Sequence, residues 1–242
     1  MIYYKTEYPQ KIQGHSLDTY LEKGWYRIGQ KMITTDLIDY NDSLIPVFWL
    51  RYNLQQYQPS KSALNIIRKN KNFQVKIKNY QINAEAEEQF HFYKTCIDFG
   101  MSDTIQEYLQ EDRPANVFDT LLIEVRDNKK LIASGYFDLG DATTTSILHF
   151  YHPDYKKYSL GKYLILLTLN YSIEQGKKYY YPGYISPEYA KLDYKLFADK
   201  NSTELYLREK DHWFNLNSIY PDVVEWSHAV TDEIKKIPKI QA

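Results

Sequence analysis

The chain has 242 residues, 43% hydrophobic and 25% charged, with a formal net charge of −1. That is long enough to bury a sizeable core, and it is neither a low-hydrophobicity disordered chain nor an overall basic nucleic-acid-binding one. The stretch Tyr163 to Leu169 is far too short to span a bilayer. A single cysteine, Cys96, excludes an internal disulfide and a cysteine-cluster metal site, and the six histidines show no metal-ligand spacing; no metal is expected, nor a cofactor. The opening residues, MIYYKTEYPQ, carry no apolar signal-peptide core, and the expected compartment is the cytoplasm. Charge is unevenly spread. No Asp or Glu occurs between Asp42 and Glu85, a window holding Arg51, Lys61, Arg68, Lys69, Lys71, Lys76 and Lys78. From Glu85 to Glu124 only Lys94 and Arg113 oppose the acids. Such a basic block is either a polyanion site or one of two mutually neutralising solvated faces.

In chain order, the sequence predicts a short helix over Ser16–Lys23, with Ser16 as cap and Gly24 as stop. Trp25 to Gly29 reads as extended. A strand is expected over Val47–Leu54, where Phe48, Leu50 and Tyr52 alternate with Trp49 and Arg51. Ser60 is placed to cap a helix over Lys61–Asn70. Asn83 opens another, with Ala86, Phe90, Tyr93 and Ile97 on one face and Gly100 at its end. A short helix follows from Ser102 to Gln110, and Asp112-Arg113-Pro114 marks a boundary between an N-terminal region, 1–112, and a C-terminal domain, 113–242. Thr120–Arg126 and Lys130–Leu139 form a hairpin about Asp127-Asn128. Thr144–His152 is a third strand. Ser159 then starts a helix through Gln175, apolar nearly all round and therefore buried, which stops at Gly176. Tyr179–Tyr184 is the next strand, and a terminal helix is expected over His228–Lys236.

Antiparallel strands followed by strand–helix–strand is the pattern of the GNAT acyltransferases. The expected fold class is therefore α+β: a mixed sheet flanked by helices, with the smaller N-terminal region packed on it. In that fold the crossover helix presents free backbone N–H groups to a ligand's phosphates. Acetyl-CoA users carry a Q/R-x-x-G-x-G/A loop there. This chain has Tyr158-Ser159-Leu160-Gly161-Lys162 instead.

Several motifs add to this pattern. Thr145 through Tyr155 (TSILHFYHPDY) and Ser159-Leu160-Gly161 are similar to a serine-rich strand, F-Y-D-P-D-Y and S-L-G in the aminoacyl-tRNA–protein transferases, the arginyl and leucyl transferases of the N-degron pathway. Tyr180-Tyr181-Pro182-Gly183-Tyr184 resembles that family's Y-Y-x-G-Y/F, and Lys191-Leu192-Asp193-Tyr194-Lys195 its K-M-x-Y-K. Gly24-Trp25-Tyr26-Arg27 is similar to its G-W-R-R, and Arg51 with Gln58-Pro59-Ser60-Lys61-Ser62 to its R…F-x-P-S-R/K-S-Q. The resemblance covers most of residues 17–214. Three departures stand out. The N-terminal cysteines are absent, Ala63-Leu64-Asn65 replaces a basic Q-R-R, and Leu196-Phe197-Ala198 replaces Q-Y-R.

The resemblance implies attack by a protein's N-terminal α-amine on the ester carbonyl of an aminoacyl-tRNA. An α-amine with a pKa of about 7.7–8.0 needs no strong base. It needs positioning, a proton acceptor and donors for the oxyanion. Backbone N–H groups between Ser146 and Phe150 are the expected oxyanion site, or else an ordinary ladder. Ser146, Tyr151 and Asp154 are the candidate catalytic side chains, although Asp154 also suits the Pro153-Asp154-Tyr155 turn. Arg51, Lys61, Arg68, Lys69, Lys191 and Lys195 are the candidate tRNA contacts, each of which alone also fits a solvated surface charge. Trp25, Arg27 and Tyr180 are expected around the acceptor or aminoacyl pocket, Arg27 as anchor for an acidic acceptor residue. Asp138, at a strand end, reads as structural. The expected partners are aminoacyl-tRNA and proteins with acidic N-termini, without membrane or metal. Competing readings are a non-catalytic tRNA- or N-terminus-binding module and a GNAT-type acetyl-CoA N-acetyltransferase.

Overall fold

The computed structural model describes residues 3–40, 43–97 and 100–236. The extreme ends of the two expected regions, 1–2 and 237–242, lie outside them. In chain order the N-terminal half gives β1 (Tyr4–Glu7), α1 (His15–Glu22), β2 (Tyr26–Ile28), β3 (Lys31–Thr35), β4 (Leu37–Tyr40), β5 (Ser43–Pro46), β6 (Phe48–Asn53), α2 (Lys61–Asn70), β7 (Gln74–Asn79), α3 (Ala84–Lys94) and α4 (Ile105–Gln110). The C-terminal half gives β8 (Thr120–Asp127), β9 (Lys130–Leu139), β10 (Thr143–Tyr151), α5 (Leu160–Glu174), β11 (Tyr179–Ile185), β12 (Thr203–Leu207), β13 (His212–Asn215) and α6 (Leu216–Lys236).

Local chemistry explains most boundaries. Ser60 accepts from the Ala63 N–H and opens α2, Asn83 does the same for Ala86 in α3, and Thr104 for Glu107 in α4. Ser16 is not the cap expected of it. It lies inside α1, its hydroxyl closing a local turn with Gln13, and Gly14 holds the cap position. Asn128 turns the β8–β9 hairpin with a φ of 54°, a conformation Asn tolerates better than most residues. α3 ends at Lys94, short of Gly100. α6 begins at Leu216 and passes through Pro221, twelve residues earlier than the start expected at His228.

The central sheet has eight strands in the order β13-β12-β6-β11-β10-β9-β8-β7. The expected boundary at Asp112 does not break it, because β6 and β7 come from the N-terminal half. β6 pairs antiparallel with both β11 and β12. α5 crosses from β10 to β11, and that pair alone among the described sheet neighbours is parallel. Alternation along the strands separates two faces. Ile123, Val125, Ala133 and Phe137 pack with α5 and α2, while Leu122, Tyr136, Leu148 and Phe150 pack with α3 and α4. A third cluster joins α1 to Trp49, Tyr181, Tyr206 and Trp213. No helix among the described residues is long and apolar enough to cross a membrane.

Candidate active site

β10 and β11 pair only from Thr143 to Thr145, opposite Tyr179 to Tyr181. Two irregularities drive them apart. β10 shifts register against β9 between Ser146 and Leu148, and β11 shifts against β6 between Tyr180 and Gly183. Bulges of this kind bend a strand and end its pairing. Beyond Thr145 the β11-facing edge of β10 has no partner strand, and the gap widens into a cleft of about 740 Å³. The segment expected to supply oxyanion donors, Ser146 to Phe150, begins at this opening. The Tyr26 hydroxyl donates to the Ser146 carbonyl there.

The mouth of the cleft lies at the start of α5. Ser159 sits at the helix N-cap but in the left-handed region, φ 56°, and its hydroxyl makes no capping bond. The expectation of a serine cap is thus met in position only, and the lack of side-chain capping leaves the first-turn N–H groups of α5 open to a ligand. Ser159 and Lys162 also border a second groove of about 450 Å³, whose other walls include Ser62, Asn65 and Lys69 of α2. The two cavities share that rim.

Of the side chains the sequence singled out, Ser146, Tyr151, Lys191 and Lys195 line the main cleft. Ser146 is buried, its hydroxyl 2.6 Å from the Tyr180 hydroxyl. Tyr151 packs against Tyr93 and lies beside Gly161. Lys69 borders the second groove, its ammonium donating to the Lys157 carbonyl. Lys61 and Arg68 are exposed on α2.

The remaining expected residues are elsewhere. Asp154 is exposed on the 3₁₀ turn after β10, 3.6 Å from His152, and does not line the cleft. Tyr180 is fully buried beneath it, stacked on Tyr52. Trp25 packs edge-on against Tyr20 by α1. Arg51 pairs with Glu204 at 2.6 Å between the rings of Tyr179 and Trp213. Arg27 is buried in an ion pair with Asp138 at 2.7 Å and does not line the cleft.

Sequence reasoning missed several wall residues: Tyr26, Tyr93, Tyr108, Tyr184, Tyr194, Met101 and His149, and Lys156 and Lys162 at the mouth. With 25 tyrosines in the chain, no single one carries a signal. His149 is buried enough that desolvation, aided by the charge of Lys195, pushes it down to about 4. Its Nε2 has no hydrogen-bond partner among the described residues. Lys195 is 7% exposed, and burial pushes its amine down to about 7. Two such perturbed groups in one cleft make it a candidate site of chemistry.

The parting of two parallel strands at the N-terminus of their crossover helix defines a GNAT-like acyltransferase fold. Within it, residues 70–201, more than half of the chain, match the family described as "Arginine-tRNA-protein transferase, C terminus". The chain belongs to that family and is an aminoacyltransferase. It is 25% identical over 196 residues to an aspartate/glutamate leucyltransferase of Leptospira interrogans, covering 78% of this chain and 74% of the relative. The same identity extends over 202 residues to the Campylobacter jejuni protein of that name, 81% of each chain. An Acinetobacter baumannii relative with the same name is 33% identical over 107 residues, 44% of this chain and 38% of that one. Among solved structures, the C-terminal domain of a putative lysylphosphatidylglycerol synthetase from Agrobacterium fabrum aligns at TM-score 0.45 and 12% identity, covering 62% of this chain and 50% of that one. That likeness adds nothing to the strand order described above.

Proposed function

We propose that this protein transfers an apolar amino acid of the leucine class from aminoacyl-tRNA to the α-amine of proteins that begin with Asp or Glu. The observation that carries the choice of donor is the cleft wall. Ile147, Leu148, Met101, Leu192 and the tyrosine rings supply its surface. Among the described lining residues the sole carboxylate is Asp39, exposed on β4. A guanidinium drawn into the apolar part of such a cleft would lose its hydration with the exposed Asp39 as its one carboxylate partner among the described lining residues, a cost of several kcal/mol. A leucyl side chain gains from the same surface.

The rim suits the other two components. Lys156, Lys162 and Lys191 line the cleft at its mouth and favour anionic groups there, the tRNA's terminal phosphates and an acidic acceptor residue alike. The second groove, with Lys69 and Lys162, is walled by α2, which also carries the exposed Lys61 and Arg68, and offers a path for the phosphates of the acceptor stem. The open first turn of α5 would take the terminal phosphate, and the unpaired edge of β10 the oxyanion. Names of relatives that pair aspartate and glutamate with leucyl transfer support this reading. The product would be a protein with a new N-terminal residue that marks it for degradation, made in the cytoplasm where charged tRNA is found.

The test is a panel of radiolabelled aminoacyl-tRNAs offered with peptides beginning Asp, Glu or Ala. We expect leucyl transfer to the acidic peptides at least ten times faster than arginyl transfer. Faster arginyl transfer would overturn the choice of donor. No product with any donor would favour a binding module.

A further inference from the structure

Lys195 occupies a position matched to the family's K-M-x-Y-K motif, which resemblance assigns to tRNA contact, yet its surroundings are wrong for a phosphate ligand. A phosphate-binding lysine extends a hydrated ammonium on a mobile stem. Lys195 is enclosed instead. Its Nζ lies 5.2 Å from the ring centre of Tyr184 and 4.7 Å from that of Tyr194. No carboxylate or carbonyl holds it among the described residues. The residue is anchored at its backbone and its stem runs close to β11. The Tyr52 hydroxyl donates to the Lys195 carbonyl. Gly183, at φ 115°, brings its backbone so near that a Cβ there would lie 3.5 Å from Lys195 Cε. The ammonium nonetheless faces the cleft, beside the opening of β10.

We propose that Lys195 is the proton shuttle of the transfer reaction, accepting the proton from the attacking amine and returning it to the leaving ribose oxygen. This rests on the transfer reading above. In the step, the acceptor's amine lone pair forms the new C–N bond at the ester carbonyl, and its surplus proton passes to the free amine of Lys195. The ester C–O bond then breaks with its electron pair on the ribose oxygen. That oxygen takes the proton back from Lys195, leaving an amide, an uncharged tRNA hydroxyl and the free lysine amine.

The groups around Lys195 suit this role. Asp193 and Tyr194 lie beside it on its own turn, Tyr184 on β11 and His149 on β10, while Tyr151 of β10, Tyr108 of α4 and Lys162 of α5 line the same cleft. Desolvation outweighs the opposing charge of Asp193, so near pH 7 about half of Lys195 is free amine. A solvated lysine would be free amine in less than roughly one part in a thousand. His149 stays neutral there, so it neither repels the incoming amine nor competes for its proton. Since the working form is unprotonated, Lys195 adds a rising limb to the rate near pH 7, below the further rise set by the attacking α-amine at about 7.7–8.0.

The experiment measures kcat and KM for leucyl transfer against pH in wild type, Lys195→Arg and Lys195→Ala, with competitive amine labelling of Lys195 in the wild-type protein. Arginine keeps the charge but cannot release a proton at these pH values. Both variants should lose at least about 100-fold in kcat with KM for tRNA and its salt dependence kept. The rising limb near pH 7 should vanish, and wild-type labelling should titrate near 7. Wild-type kcat in Lys195→Arg, or a loss confined to tRNA affinity, would overturn the shuttle. A labelling midpoint of an ordinary surface lysine in an active wild type overturns it as well, whether or not the variants fold. Absence of transfer from every aminoacyl-tRNA, with a low labelling midpoint, overturns the transfer reading itself.

Discussion

Replacing Arg27 by alanine should lower the unfolding free energy by about 3–5 kcal/mol, read from urea denaturation, because it strands a buried carboxylate. Arg27 and Asp138 both have fully buried side chains, joined at 2.7 Å. The guanidinium also donates to Thr120, to the Gly29 carbonyl and to the Leu109 carbonyl, and lies 4.2 Å from the centre of the Phe118 ring. It thereby ties β2, α4, β8 and β9 together. Asp138 keeps Thr120 as a donor, but its Oδ2 already has no partner. Arg27→Lys should recover little, since a lysine cannot span the same four acceptors. A stable Arg27→Ala protein with a selective rise in KM for acidic acceptors would return Arg27 to the acceptor pocket. The sequence places it there because Gly24-Trp25-Tyr26-Arg27 matches a motif, and a motif does not say which way a side chain points.

The triple variant Lys69→Ala, Lys156→Ala, Lys162→Ala should weaken tRNA binding roughly 10- to 100-fold at low salt and flatten its salt dependence by about three. These lysines surround the rim shared by the cleft and the second groove. Each loss should be nearly additive, because none of the three forms an ion pair with a described carboxylate. Arg51→Ala provides the contrast. Arg51 is held by Glu204 and two aromatic rings, so its loss should reduce stability and leave the salt slope unchanged. Filter binding over a range of salt separates the outcomes. An unchanged slope in the triple variant, or a reduced one in Arg51→Ala, would move the RNA path.

Local signals in the sequence are kept in the structure. Ser60, Asn83 and Asn128 act through hydrogen bonds or dihedrals within three residues of themselves, and α2, α3 and the β8–β9 hairpin begin or turn where those residues sit. The all-round apolar pattern of α5 announces a buried crossover helix, and Gly176 follows its end. What escapes is set by distant partners. β6 reads as a strand, but nothing in it says that it lies between β11 and β12. The sequence suggests a terminal helix only from His228, yet α6 begins at Leu216 and continues through Pro221. The same holds for the site. Lys195 is visible as a motif position, whereas its enclosure depends on Tyr184 of β11 and on His149 of β10, brought together only by the bulges that part the two strands.

The central claim is that the cleft at the start of α5 holds the aminoacylated CCA end. Its most direct measurement is a titration of the protein with a non-hydrolysable leucylamido analogue of the terminal adenosine, competed by leucyl-tRNA and by acetyl-CoA. The account predicts saturable binding that protects Lys195 from amine labelling, with displacement by leucyl-tRNA and none by acetyl-CoA. Saturable acetyl-CoA binding that protects Lys195, with no binding of the adenosine analogue, would contradict it.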